Sequence, residues 1–202
     1  MSFDIHHNNK SYRATLNTIG EHNIQNMLAS LTLANSLDIP LDIAIKSFAS
    51  FPGVKRRLEL IKCNKKKNTY LYDDYAHNPQ KIYSVLKSIR QANPSMKIVT
   101  VFEPHRYSRI RHLYPLFTKA FSNTDTLLIL PVFSAGENNE TNICPQVFAY
   151  DITQQSKTKT KICNNFLEAH TYLEKNLSNN SIVICLGAGK ISQLVDMIKE
   201  II

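Results

Sequence analysis

Hydrophobic positions along this chain switch repeatedly between two periods. Dense apolar runs at 98–102, 126–130 and 181–186 have the length of strands covered on both faces, where strict in-and-out alternation is lost. Between and around them the spacing becomes helical. Ile82, Val85, Leu86 and Ile89 predict a helix over 79–91, with Pro79 suited to its first turn. Phe166, His170, Leu173 and Leu177 mark a second stripe with His170 at its edge, and Ile191, Leu194, Val195 and Ile198 mark a closing one. A strand over 69–72 running into Asp73-Asp74, a helix from about 108 to 121, a helical stretch at 145–154 and a short strand at 158–162 complete the series. Strand-helix repetition of this kind predicts an α/β fold: a mostly parallel sheet with helices on both faces.

The first 55 residues are patterned differently. A strand at 12–16 follows a polar stretch at 6–11, and after Gly20 a helical face appears in Ile24, Met27, Leu28 and Leu31. A second helix is expected over 41–50, ended by Pro52-Gly53, and a strand over 58–62 follows. One strand and two helices offer too little surface for an independent core. Residues 1–55 are therefore expected to be the remnant of a larger domain, and 56–202 a domain in their own right.

Composition narrows the class. Of 202 residues 43% are hydrophobic and 20% charged, which suits a globular protein and argues against disorder. The net charge of +8 points to anionic partners, although Lys65-Lys66-Lys67 lies between two strand-like runs and reads as a solvated turn. Cysteines at 63, 144, 163 and 185 show no paired short spacing, so neither a zinc motif nor a secreted disulfide framework is signalled, and no metal ligand set is expected. Without a leader pattern or a run of about 18 apolar residues, a cytoplasmic location is the expectation.

Candidate chemistry gathers where strands end. Past 98–102 come Glu103-Pro104 and then His105, Arg106, Arg109 and Arg111 within seven positions. Ligands of open α/β sheets bind beyond the carboxyl ends of strands, and guanidinium groups there grip carboxylate or phosphate through paired hydrogen bonds. A second cluster, Asp73-Asp74-Tyr75-Ala76-His77-Asn78-Pro79, is able to hold a ribose, a magnesium-bound phosphate or a catalytic proton, or to be an acidic helix start. Gly187-Ala188-Gly189-Lys190 is not a phosphate-binding loop, because Ile184 and Ile191 stand where that pattern needs glycine and Ser or Thr. It reads as a tight turn opening a helix. His22, Asn23 and Asn26 open the first helix, where asparagine either caps or reads an adenine edge. His6, His7 and His112 are assigned no role.

The ordered set is more specific than any one motif. Gly20-x-His22-Asn23-x-x-Asn26, Gly53-Val54-Lys55-Arg56-Arg57, Asp73 to Pro79, Phe102-Glu103-Pro104-His105-Arg106-Tyr107-Ser108-Arg109 and Ala135-Gly136-Glu137 together resemble the Mur ligase family over nearly the whole chain. The Pro-His-Arg-Tyr block resembles the member that joins L-alanine to UDP-N-acetylmuramate in peptidoglycan synthesis. Asn78 departs from a histidine common there, which keeps related Mur-type peptide ligases open. The resemblance implies a Rossmann-like carboxyl-terminal domain at 56–202, preceded at 1–55 by the tail of a central ATPase domain. It implies ATP and Mg2+ as cofactors, the magnesium ligands lying mainly in the half that carries the phosphate loop. It further implies that His22, Asn23 and Asn26 face the adenine and that Arg57 and Asp74 reach the ribose and phosphates across a hinge. His77 would sit near the phosphates, and His105, Arg106 and Arg109 would meet the muramoyl carboxylate and L-alanine.

Family members activate a carboxylate by phosphoryl transfer from ATP, after which an amine attacks the acyl phosphate. Within that scheme Asp74, His77 and His105 are the candidate catalytic residues. The missing amino-terminal and central domains are expected partners, in cis or in trans, and the chain alone is expected not to turn over ATP. Two other readings compete: a non-catalytic module that retains nucleotide or wall-precursor binding, and a basic nucleic-acid binder. The last is disfavoured by the absence of a recognition module and by arginines gathered at one junction instead of along a stripe. No membrane partner is expected.

Overall fold

The computed structural model describes residues 1–17, 20–138 and 143–202, apart from the side chains of Glu21 and His22. The chain divides into two compact units, Met1–Lys55 and Arg56–Ile202.

In the first unit, strands β1 (Ser2–His7) and β2 (Lys10–Thr15) form an antiparallel hairpin, followed by helices α1 (Glu21–Ser36) and α2 (Leu41–Ser50). Asn8 and Asn9 both take positive φ, 47° and 60°, the backbone that a two-residue hairpin turn with native twist requires. The polar stretch at 6–11 thus hides a hairpin, and β1 goes unread in the sequence because its inward alternation holds only Phe3 and Ile5 before His7 takes the third place. Ala14, Leu16, Met27, Leu31, Ala44 and Ile45 form the core of this unit.

The second unit is a six-stranded sheet in the order β3-β4-β8-β5-β6-β7, with β3 (Glu59–Asn64), β4 (Thr69–Asp74), β5 (Lys97–Phe102), β6 (Thr126–Ile129), β7 (Lys159–Ile162) and β8 (Ser181–Leu186). All pairings are parallel except that of β3 with β4. Every residue of β6 and β8 is buried, as continuous apolar runs predict for strands covered twice. Leu71, Val99, Val101, Leu128 and Val183 pack with Ala169 and Leu173 of α7 (Phe166–Asn176) and with Ile191, Leu194, Val195 and Ile198 of α8 (Ile191–Ile198). Residues of the opposite parity, such as Phe102, face the other way. Phe102 meets Phe117 and Phe121 with ring centroids 5.9 and 5.2 Å apart.

The helix predicted over 108–121 is two short ones, α4 (Tyr107–His112) and α5 (Tyr114–Phe117). Pro115 lacks the amide that would continue the first helix, and its ring excludes the carbonyl a turn earlier. Helices α3 (Pro79–Ala92) and α6 (Pro145–Ser156) lie within a residue or two of their predicted bounds. The strand predicted at 69–72 continues through Asp73 and Asp74, which pair with Cys185 and Leu186. Among the described residues no helix is long and apolar enough to cross a membrane.

Candidate functional site

Strand register sets the site. Asp74 and Phe102 both lie beside Leu186, and Phe102 also beside Ile129, so β4, β8, β5 and β6 end in one row. Their outgoing loops must then crowd together at the carboxyl edge of the sheet. Between them lies a cleft of about 580 Å³, lined by Tyr75 and His77 after β4, by Ala188 after β8, and by His105, Arg106, Ser108, Arg109, His112 and Leu113 after β5. None of these lining residues is acidic.

Each side chain has its own support. The His77 Nδ1 lies 2.8 Å from the Tyr75 carbonyl, and the two rings meet edge to face at 5.4 Å. Asn78 accepts from the Lys81 amide at 2.9 Å and so caps α3, one place after His77. Burial, and next the charge of Arg109, hold the His77 imidazole below its ordinary range. His105 is fixed from three sides. Its ring lies 5.3 Å from that of Phe133, the Arg109 Nη1 is 3.2 Å from its Nδ1, and the same nitrogen donates to its carbonyl at 3.1 Å. Burial and then Arg109 lower its pKa as well, against a weaker pull from Glu137. Both rings are therefore mainly neutral at pH 7, in a cleft whose charges, among the described lining residues, are guanidinium groups.

Arg106 takes φ +69°, a left-handed backbone unusual for a residue with a side chain. Its amide donates to the Phe133 carbonyl at 2.9 Å, and its guanidinium lies 3.6 Å from Glu137, with about half of the side chain exposed. Glu137 also accepts from the Ser108 amide at 3.0 Å and hydroxyl at 2.6 Å, contacts that hold its carboxyl below the usual range. Arg111 points elsewhere: it is exposed and does not line the cleft.

Asp74 is buried at 4% exposure, and its two oxygens accept from the amides of Leu58 and Ala76, both at 2.7 Å. Beside it Asp73, also buried, meets Arg56 at 3.3 Å, and the Arg56 and Arg57 guanidinium carbons stand 4.9 and 5.8 Å from the centre of the Tyr75 ring. Burial raises the Asp73 pKa, against Arg56. Arg57 itself is exposed.

In the first unit α1 is capped by the backbone of Gly20 without a side-chain capping bond, so Asn23 and Asn26 lie within its first turns instead of capping it. Asn26 is exposed. The side chain of His22 lies outside the described residues.

The structure thus brings His77, His105, Arg106 and Arg109 into one cleft, from segments nearly thirty residues apart in sequence. Sequence reasoning missed Tyr75, Ser108, His112, Leu113 and Ala188 as lining residues. Tyr75, Ser108 and Ala188 stood inside noted motifs; His112, one turn after Ser108 on the same face of α4, had a signal in that helical spacing, whereas Leu113 carries none because it stands at the break between α4 and α5.

Comparison with known proteins agrees with this architecture. Residues 56–189 match the Mur ligase, glutamate ligase domain. A UDP-N-acetylmuramate–L-alanine ligase of Ruthia magnifica is 35% identical over 99% of this chain and 44% of its own length. One from Sulfurihydrogenibium is 31% identical over 98% of this chain and 45% of its own. The chain spans less than half the length of these curated relatives. Among solved structures, UDP-N-acetylmuramate-alanine ligase MurC from Thermotoga maritima superposes with a TM-score of 0.75 at 26% identity, over 94% of this chain and 39% of that one. With the family domain matched across most of its second unit, the chain belongs to the Mur ligase family.

Proposed function

We propose that this chain supplies the carboxyl-terminal part of an ATP-dependent, ADP-forming ligase that joins L-alanine to UDP-N-acetylmuramate in the cytoplasm. The observation that carries this reading is the convergence of Arg106, Arg109 and two mainly neutral imidazoles in a cleft that, among the described residues, is lined by no acidic side chain. Such a cleft suits reactants that are all anionic or become so: a carboxylate, a phosphoryl group and an amino acid.

In this reading Arg109 and Arg106 hold the muramoyl carboxylate and the carboxylate of L-alanine, which sets amine and acyl carbon within reach. When the amine nitrogen bonds to the acyl carbon, the carbon–oxygen bond to phosphate breaks and phosphate departs with the electron pair. The nitrogen must then lose a proton. His105 or His77, neutral at pH 7, accepts it. Arg57 and Asp74 are assigned to ATP's ribose and phosphates, and Asn23, Asn26 and His22 to its adenine. The proposal places the ligands of the accompanying magnesium mainly with the phosphate loop, in a separate part of the ligase, and the sequence here contains no phosphate-loop pattern.

The test is complementation in trans. The chain is mixed with the phosphate-loop half of a related ligase, ATP, UDP-N-acetylmuramate and L-alanine, and ADP and the amide product are measured. Product is expected only with both halves. Phosphate release by this chain alone would refute its dependence on the other half, and a mixture that binds precursor without forming product would favour a binding module.

A further inference from the structure

The Gly187-Ala188-Gly189-Lys190 turn opens α8, where exposed amides would ordinarily attract an outside anion. In this protein an inside one is already there. Glu103, the residue after β5, is 4% exposed, and its Oε2 accepts from the Ile191 amide at 3.1 Å. The amides of Lys190 and Gly189 also stabilise its charged form against the cost of burial. The two glycines leave room for it: a Cβ on Gly187 would lie 3.0 Å from the Glu103 Cβ, and one on Gly189 2.6 Å from Oε2. Backbone and side-chain bonds tie the same loops together, Glu103 N to the Leu186 carbonyl at 2.9 Å and Arg56 Nη2 to the Gly187 carbonyl at 2.6 Å. Ala188, at the crest of the turn, is a wall of the cleft, and His105 and Arg106 follow Glu103 by two and three places.

We infer that Glu103 is a positioning residue: an oxygen threaded into the glycine turn sets Ala188 as the cleft wall and closes the start of α8 to phosphate, leaving outside anions to Arg106 and Arg109. The inference about the turn stands on its own contacts; its consequence for catalysis rests on the function proposed above. An acceptor oxygen is what the turn requires, so glutamine meets the need and alanine does not.

The test is amide NMR of the 202-residue chain and its E103Q and E103A variants, with inorganic phosphate as the probe. In the unsubstituted protein and in E103Q, phosphate leaves the Gly189, Lys190 and Ile191 amides unmoved. In E103A those amides exchange with solvent about tenfold faster, as expected for the loss of one buried acceptor, and phosphate now shifts them in a saturable way. Phosphate shifting these amides in the unsubstituted protein would overturn the inference, as would E103A exchange indistinguishable from it. Should E103A not fold, E103Q alone decides, since a tenfold loss of protection there overturns the idea that one acceptor suffices. A failure of phosphate to move the Arg106 and Arg109 side-chain signals would count against the proposed function and leave the turn's occupancy standing.

Discussion

His77 and His105 come from loops after different strands, yet their rings lie 5.8 Å apart on the wall of one cleft. Burial and Arg109 depress both. A depressed imidazole binds its proton less readily in the folded state than in the unfolded one, so stability is full above about pH 6.5 and is lost as pH falls through the lowered values. Melting temperature should therefore drop on acidification below about pH 6.5, and the drop should shrink when both histidines are replaced by asparagine. Thermal scans from pH 5 to 8 check this. An unchanged profile would show that the two rings are not what the acid limb reports.

Asp74 should prove as much a structural residue as a chemical one. Its carboxylate accepts from the amides of Leu58 and Ala76, which pins the loop before β3 to the turn after β4. Asp74→Ala leaves both without that acceptor, at about 1–3 kcal/mol for each buried group, and Asp74→Asn loses about half as much. Urea unfolding of the chain measures both, and equal losses would contradict the two-acceptor account.

Glycine at 189 should be sharply required. A Cβ there would stand 2.6 Å from the Phe133 Cγ as well as from the Glu103 carboxylate, whereas at 187 the closest approach is 3.0 Å. Gly189→Ala is expected to cost about 1–3 kcal/mol and Gly187→Ala less, the usual range for forcing an extra carbon into packed surroundings. Denaturant midpoints of the two variants rank the sites.

Arg109 meets His105 at both its ring and its carbonyl, while Arg106 is half-exposed beside Glu137. In the complemented ligase Arg109→Ala should lower kcat/KM by about 30-fold or more, on the scale of removing one partner of a desolvated charge contact, and Arg109→Lys should restore little because ammonium lacks the fork. Arg109→Ala should also raise the pKa of His105, since it removes the largest charge acting against protonation there. Histidine NMR titration of the chain alone reads that second effect without any assay of ligation.

How much of this was readable beforehand depends on where the determining interactions lie. β8 and α8 match their expected extents because burial wrote a continuous run into one and a helical stripe into the other. That Arg106, Arg109, His105 and His77 would share one cleft was legible because strand ends place loops together whatever the loops contain. The break at Leu113 came from a single proline, set against an apolar stripe that argued for continuity. The rear of the site was opaque for another reason. Glu103 looked like punctuation, and only the register of β5 against β8 reveals that its carboxylate fills the glycine turn.

The sheet order has a consequence for synthesis. β8 is inserted between β4 and β5, which therefore do not touch until it arrives, although both leave the ribosome roughly a hundred residues or fewer ahead of it. A nascent polypeptide stalled before Ser181 would hold two half-sheets with bare facing edges, an invitation to pair with neighbours. Chains cut short before Ser181 should thus yield aggregates in place of shortened but soluble protein.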